Sequence, residues 1–172
     1  MVVALLQYIC LADAQAARGP GDNSAILFKP QVPYSQTSII HDSIKQECAL
    51  NEAMATSTQK YAKKFSIPLI SDAEARMAPG VARELSVQIT QATPGVFAFF
   101  NVFSKPATLA MDFKLTEDGK VVLEKSRICA TKHVVFIGLD GRVCAKLAKC
   151  ANDQGAYINK WIKKKFDPPK GE

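Results

Sequence analysis

A chain of 172 residues with 48% apolar and 22% charged residues has the composition of an ordinary globular protein, sized for one domain with one core. No stretch beyond residue 11 approaches ~18 uninterrupted apolar residues, which excludes a transmembrane helix there. The formal charge of +6 is concentrated in Lys160, Lys163, Lys164, Lys165 and Lys170, a run that reads as a solvated helix end or as an attraction to anionic envelope surfaces, with no call for nucleic acid.

The chain opens with MVVALLQYICLADAQA, a nearly unbroken apolar run from Val2 to Leu11 followed by Ala14-Gln15-Ala16. A short apolar core followed by a small-x-small exit is the order of a secretory signal, so residues 1–16 are expected to be removed and 17–172 to form a single domain. No Lys or Arg precedes the run, and a buried N-terminal strand or helix is the competing reading. Cys10 does not read as a lipidated cysteine, because Gln7, Tyr8 and Ile9 stand where a lipobox wants Leu and a small residue. Export would place the mature chain in an oxidising, periplasmic or secreted location where cysteines pair.

After a turn-rich leader, Ser24–Lys29 reads as a short strand closed by Pro30, and QVPYSQTS as a loop ending in a capping hydroxyl. Ile39–Phe65 carries Ile40, Ile44, Cys48, Met54, Tyr61 and Phe65 near the helical period, with a weak spot expected around Asn51 and Thr56-Ser57-Thr58. Pro68 stops it, Ile67–Ser71 reads as a strand, and DAEARMAPG as a connection. ELSVQIT and TLAMDFKL alternate apolar and polar residues, and VVLEKSRIC returns across Asp118-Gly119, a strong hairpin signal. Val143–Phe166 is a second amphipathic helix with Leu147, Cys150, Ala151, Ile158 and Ile162 on its apolar stripe. The expected fold is α+β: a two-layer sandwich in which a mainly antiparallel sheet of about five strands packs against two helices.

Without Cys10, four cysteines remain: Cys48, Cys129, Cys144 and Cys150. Cys144 and Cys150 would lie about 9 Å apart along an unbroken helix, beyond disulfide reach. A bond from Cys48 to one of them, stapling the helices, is therefore preferred over four buried thiols. The spacing fits no zinc site, and no metal or other cofactor is implied.

The run KPATLAMDFKLTEDGKVV and the later GRVCAKLAKCANDQGAYINKWI resemble a family of small proteobacterial envelope proteins, periplasmic or lipid-anchored. The likeness rests on Lys105, Asp118-Gly119, Cys144, Leu147, Cys150 and Trp161, with Cys48 in the similar segment IKQECALNEAMATSTQKYAKK. It spans roughly residues 39–162 and implies compartment and fold; it supplies no activity. The chain departs from the glycine-rich loops of that family, having TPGVFAFFNVF before Lys105 and ATKHVVFIGLDG before Cys144.

No catalytic signature accompanies the two histidines, His41 and His133, and the acidic pairs Asp72/Glu74 and Glu117/Asp118 fall in turns, so no enzyme is expected. The Gly138–Gly141 stretch is too short for a phosphate loop. The aromatic segment between Gly95 and Lys105 is the feature that stands out. It reads either as a further strand covered on both faces or as an apolar interaction loop. Since the loops 95–103 and 132–141 leave the central hairpin at the end opposite Asp118-Gly119, Phe97, Phe99, Phe100, Phe103, His133 and Phe136 are expected to share one binding surface. The function so implied is an exported, non-enzymatic interaction or assembly module that meets an envelope protein or a lipid surface. The alternative is a binder of small apolar ligands or lipid, with a pocket between sheet and helix.

Overall fold

The computed structural model describes residues 25–77, 83–94, 106–131 and 140–166. Among these lie β1 (Ile26–Phe28), β2 (Tyr34–Ile40), α1 (Asp42–Glu47), α2 (Leu50–Phe65), β3 (Leu69–Ile70), α3 (Asp72–Met77), β4 (Arg83–Thr93), β5 (Thr108–Glu117), β6 (Lys120–Ala130) and α4 (Asp140–Phe166). The fold is α+β: a mixed six-stranded sheet whose one face is covered by α2 and α4.

The antiparallel meander β4-β5-β6 forms one side of the sheet, with β6 at the edge, and alternation sets its two faces. Leu85, Val87 and Ile89 of β4 and Leu109, Met111, Phe113 and Leu115 of β5 are buried beneath the helices. Full burial contributes about 1.5–3 kcal/mol for each such side chain. Ser86 and Lys114 lie on the opposite face and are exposed. Asp118 and Gly119 join β5 to β6 with positive φ at both positions, +50° and +75°, which matches a two-residue hairpin to the strand twist.

The other edge of β4 is shared. β1 runs parallel to its first residues and β2 parallel to its last, with Ile26 opposite Arg83 and Ile40 opposite Ala92. The segment read as the loop QVPYSQTS thus contains most of β2, and Ile40 is a strand residue. The sequence missed it because Tyr34 pairs with Ile89 while Ile39 already pairs with Gln91, so an irregularity breaks the period-2 pattern.

The single helix expected over 39–65 is two. α1 ends at Cys48, and Ala49 takes a left-handed conformation with φ 42° before α2 starts. Burial of Leu50 and the bond made by Cys48 hold this alanine from either side. The Thr56–Thr58 stretch is uninterrupted helix. α2 ends with Ser66 in the left-handed position and the Ile67 amide donating to the Ala62 carbonyl at 2.9 Å, a Schellman ending with Pro68 just beyond.

The connection after Ser71 also contains a helix. The Glu74 carboxylate accepts from the Ser71 amide at 2.7 Å and from its hydroxyl at 2.9 Å, the reciprocal cap that starts α3.

α2 and α4 run parallel and touch through a polar seam. Ser57, Thr58, Gln154 and Asn159 are all buried there. Ser57 Oγ donates to the Ala151 carbonyl at 2.9 Å, and Asn159 Nδ2 donates to the carbonyls of Thr58 at 2.9 Å and Gly155 at 2.7 Å. α4 is fastened to β6 as well: Gln154 Nε2 donates to the Arg127 carbonyl at 3.3 Å, and the Arg127 guanidinium lies 3.8 Å from the Tyr157 ring centre.

Candidate functional site

The ends of both loops marked by the sequence meet at one end of the sheet. β4 ends at Thr93, β5 begins at Thr108, and the hydroxyls of these paired residues are hydrogen-bonded to each other. Beside them the Thr131 amide, just past β6, donates to the Ala107 carbonyl at 3.0 Å. Three of the four stems are therefore held in one ladder, on the side away from the Asp118-Gly119 turn, and the fourth leads into α4. Phe97, Phe99, Phe100, Phe103, Lys105, His133 and Phe136 lie outside the described residues, as do residues 1–16.

Two disulfides reinforce this end. Cys48 is bonded to Cys144 with Cα atoms 4.8 Å apart, and Cys129 to Cys150 with Cα atoms 5.6 Å apart. All four cysteines named from the sequence are thus used, and α4 stays unbroken through Cys144 and Cys150. The first bond ties the start of α4 to the junction of α1 and α2. The second ties the end of β6 to the next turn of α4. The segment 130–143 between them, which includes His133 and Phe136, begins and ends at a half-cystine.

The fold adds His41 to this end. β2 reaches it at Ile40, opposite Ala92, so the exposed His41 and α1 sit on the same side as the loop stems. His41 Nδ1 is 3.1 Å from Ser43 Oγ. The sequence placed His41 at a helix start, but only the parallel pairing of β2 with β4 brings that start to the stems. Tyr34, on the same strand, points its half-buried phenol at the first amides of α2. Burial pushes its pKa up, while the Asn51 and Leu50 amides oppose the rise. The contact lacks the geometry of a full hydrogen bond.

At the opposite end, a cleft of about 300 Å³ opens between the last turns of α2 and α4 and the start of β1 and β4. Phe65, Pro68, Ile162 and Phe166 give it apolar walls, and Arg83 and Lys163 also line it. Arg83 is spoken for: its Nε lies 2.7 Å from the Glu117 carboxylate and its guanidinium stacks 4.1 Å from the centre of the Phe166 ring. Among the described residues no three side chains of metal-ligating type converge, and no helix is long and apolar enough to cross a membrane.

No protein-family model matches the chain, and no curated protein matches it in sequence. Solved structures do match it. A Xanthomonas campestris protein of the DUF330 family aligns over 83% of this chain and 86% of its own at 12% identity, with a TM-score of 0.54. A minor lipoprotein of Acinetobacter baumannii aligns over 84% and 95% at 9% identity, with a TM-score of 0.51. A Helicobacter pylori homologue of a neuraminyllactose-binding hemagglutinin aligns over 86% and 91% at 8% identity, with a TM-score of 0.50. At these identities the likeness is one of fold. The fold is shared with small bacterial lipoproteins and envelope proteins, the group that the C-terminal pattern resembles.

Proposed function

We propose that the chain is an exported, non-enzymatic protein of the cell envelope that binds a partner protein through the apolar loops 95–103 and 132–141. The observation that carries this reading is the convergence of the loop stems, through Thr93, Thr108, Ala107 and Thr131, at an end braced by two disulfides. Loops rich in aromatic residues on a rigid frame are a common way to present a binding surface. Two disulfides suit an oxidising compartment, and envelope proteins share the fold. The cleft between sheet and helices is a poorer basis for an apolar-ligand carrier, because Arg83 and Lys163 line it.

The test is capture from envelope extract with the intact protein and with a Phe99→Ser/Phe100→Ser variant. The expected result is loss of the captured partner with a nearly unchanged melting temperature. A large drop in melting temperature would make these rings part of the core and sink the reading.

A further inference from the structure

Because α2 and α4 run parallel, both of their C-termini lie at the end opposite the loop stems. Lys60, Lys63 and Lys64 come from α2 and Lys160, Lys164 and Lys165 from α4, and all six are exposed. Lysines suit helix C-termini, but each helix end is equivalent to only about half a negative charge. Two helix ends therefore offset about one of these six charges. Of the acidic groups described at or near this end, Glu117 is bound to Arg83 and Glu84 to Lys29, Glu74 shares a side cleft with Lys63, and Asp118 sits beside Lys120 in the hairpin. The end is strongly cationic.

The cleft walled by Phe65, Pro68, Ile162 and Phe166 opens among the last turns of the same two helices. Apolar surface set among cations matches a layer of anionic headgroups with hydrocarbon beneath it. A purely polar polyanion would leave the aromatic walls unused.

We propose that this lysine-rich end docks on an anionic phospholipid membrane surface, which turns the loop stems away from the membrane. The inference does not depend on what the loops bind. A lysine close to an anionic leaflet raises affinity by about fivefold.

The test is co-sedimentation of the full chain, as the expressing cell releases it, with vesicles of phosphatidylcholine alone or mixed with phosphatidylglycerol. Binding is expected only to the mixed vesicles and is expected to fall steeply as salt rises. The variant Lys63→Glu/Lys64→Glu/Lys164→Glu/Lys165→Glu should bind them at least about a hundredfold more weakly. Lys125→Glu/Lys149→Glu, which reverses charges elsewhere, should bind as the parent does. Should the quadruple variant fail to fold, the salt series on the parent protein decides. Equal binding to both vesicle types, binding indifferent to salt, or unchanged binding by a folded quadruple variant would overturn the proposal. Equally tight binding to a short DNA duplex would also overturn it, by making the end a general polyanion site.

Discussion

Gly155 and Ser57 are in contact across the parallel helices α4 and α2, with no room for even one more carbon. A Cβ on Gly155 would lie 2.8 Å from the Ser57 backbone carbon and would overlap the Ser57 hydroxyl. Glycine is needed here for close approach and not for an unusual backbone angle. Gly155→Ala should destabilise the protein by about 1–3 kcal/mol, the cost typical of overpacking. Thermal unfolding checks this, and Ser57→Gly in the same chain should recover part of the loss. Full stability in the single variant would mean that the helices separate freely.

Two neighbours in the seam should respond in opposite ways. Asn159 Nδ2 donates to two backbone carbonyls, so Asn159→Leu removes two buried hydrogen bonds and should cost about 1–3 kcal/mol, less whatever is regained by losing the unpartnered Oδ1. Thr58 Oγ1 is buried with no hydrogen-bond partner among the described residues, so Thr58→Val removes an unsatisfied group and should be neutral or stabilising. Urea midpoints of the two variants on either side of the parent value are the expected result.

The disulfides should differ in weight. Cys48–Cys144 closes a separation of 96 residues and Cys129–Cys150 one of 21. Chain entropy assigns about 4.7 kcal/mol to the first and about 3.4 kcal/mol to the second. Paired alanine variants, unfolded in denaturant under oxidising conditions, should rank in that order.

The cap of α3 makes a pH prediction. Hydrogen bonds from the Ser71 amide and hydroxyl hold the Glu74 carboxyl below its ordinary pKa. A depressed folded-state pKa means that its support for the helix is complete above the ordinary carboxylate range and is lost as pH falls through the lowered value. Carboxyl NMR titration should find Glu74 low in the parent. In Ser71→Ala it should move upward, and the first turn of α3 should lose amide protection at neutral pH.

The parts of the fold that obey a simple period were legible in the sequence. Leu109, Met111, Phe113 and Leu115 alternate without interruption, and Asp118-Gly119 declares its turn. The apolar stripe of α4 needs only the helical repeat. What escaped was set by partners far away in the chain. β2 is a strand because β4 is there to pair with it. Thr56-Ser57-Thr58 reads as weak helix until Gly155 and Asn159 supply the contacts that bury Ser57 and Thr58. The S-x-x-E cap at Ser71–Glu74 was visible and marks a helix start. The stems of the loop site could be inferred from the hairpin's direction, whereas the gathering of lysines at the other end depends on α2 and α4 being parallel.

In chain order the four bonded cysteines, Cys48, Cys129, Cys144 and Cys150, are joined first to third and second to fourth. Neither bond links consecutive cysteines, so the two rings interleave. A chain that emerges amino end first offers Cys48 and Cys129 to an oxidant before either proper mate has appeared. Premature closure would join those two and strand the pair on α4. Correct maturation then requires either that oxidation wait for the last helix or that a thiol exchanger undo the early error. The protein should accumulate in a mis-paired form wherever oxidant is plentiful and such an exchanger is missing.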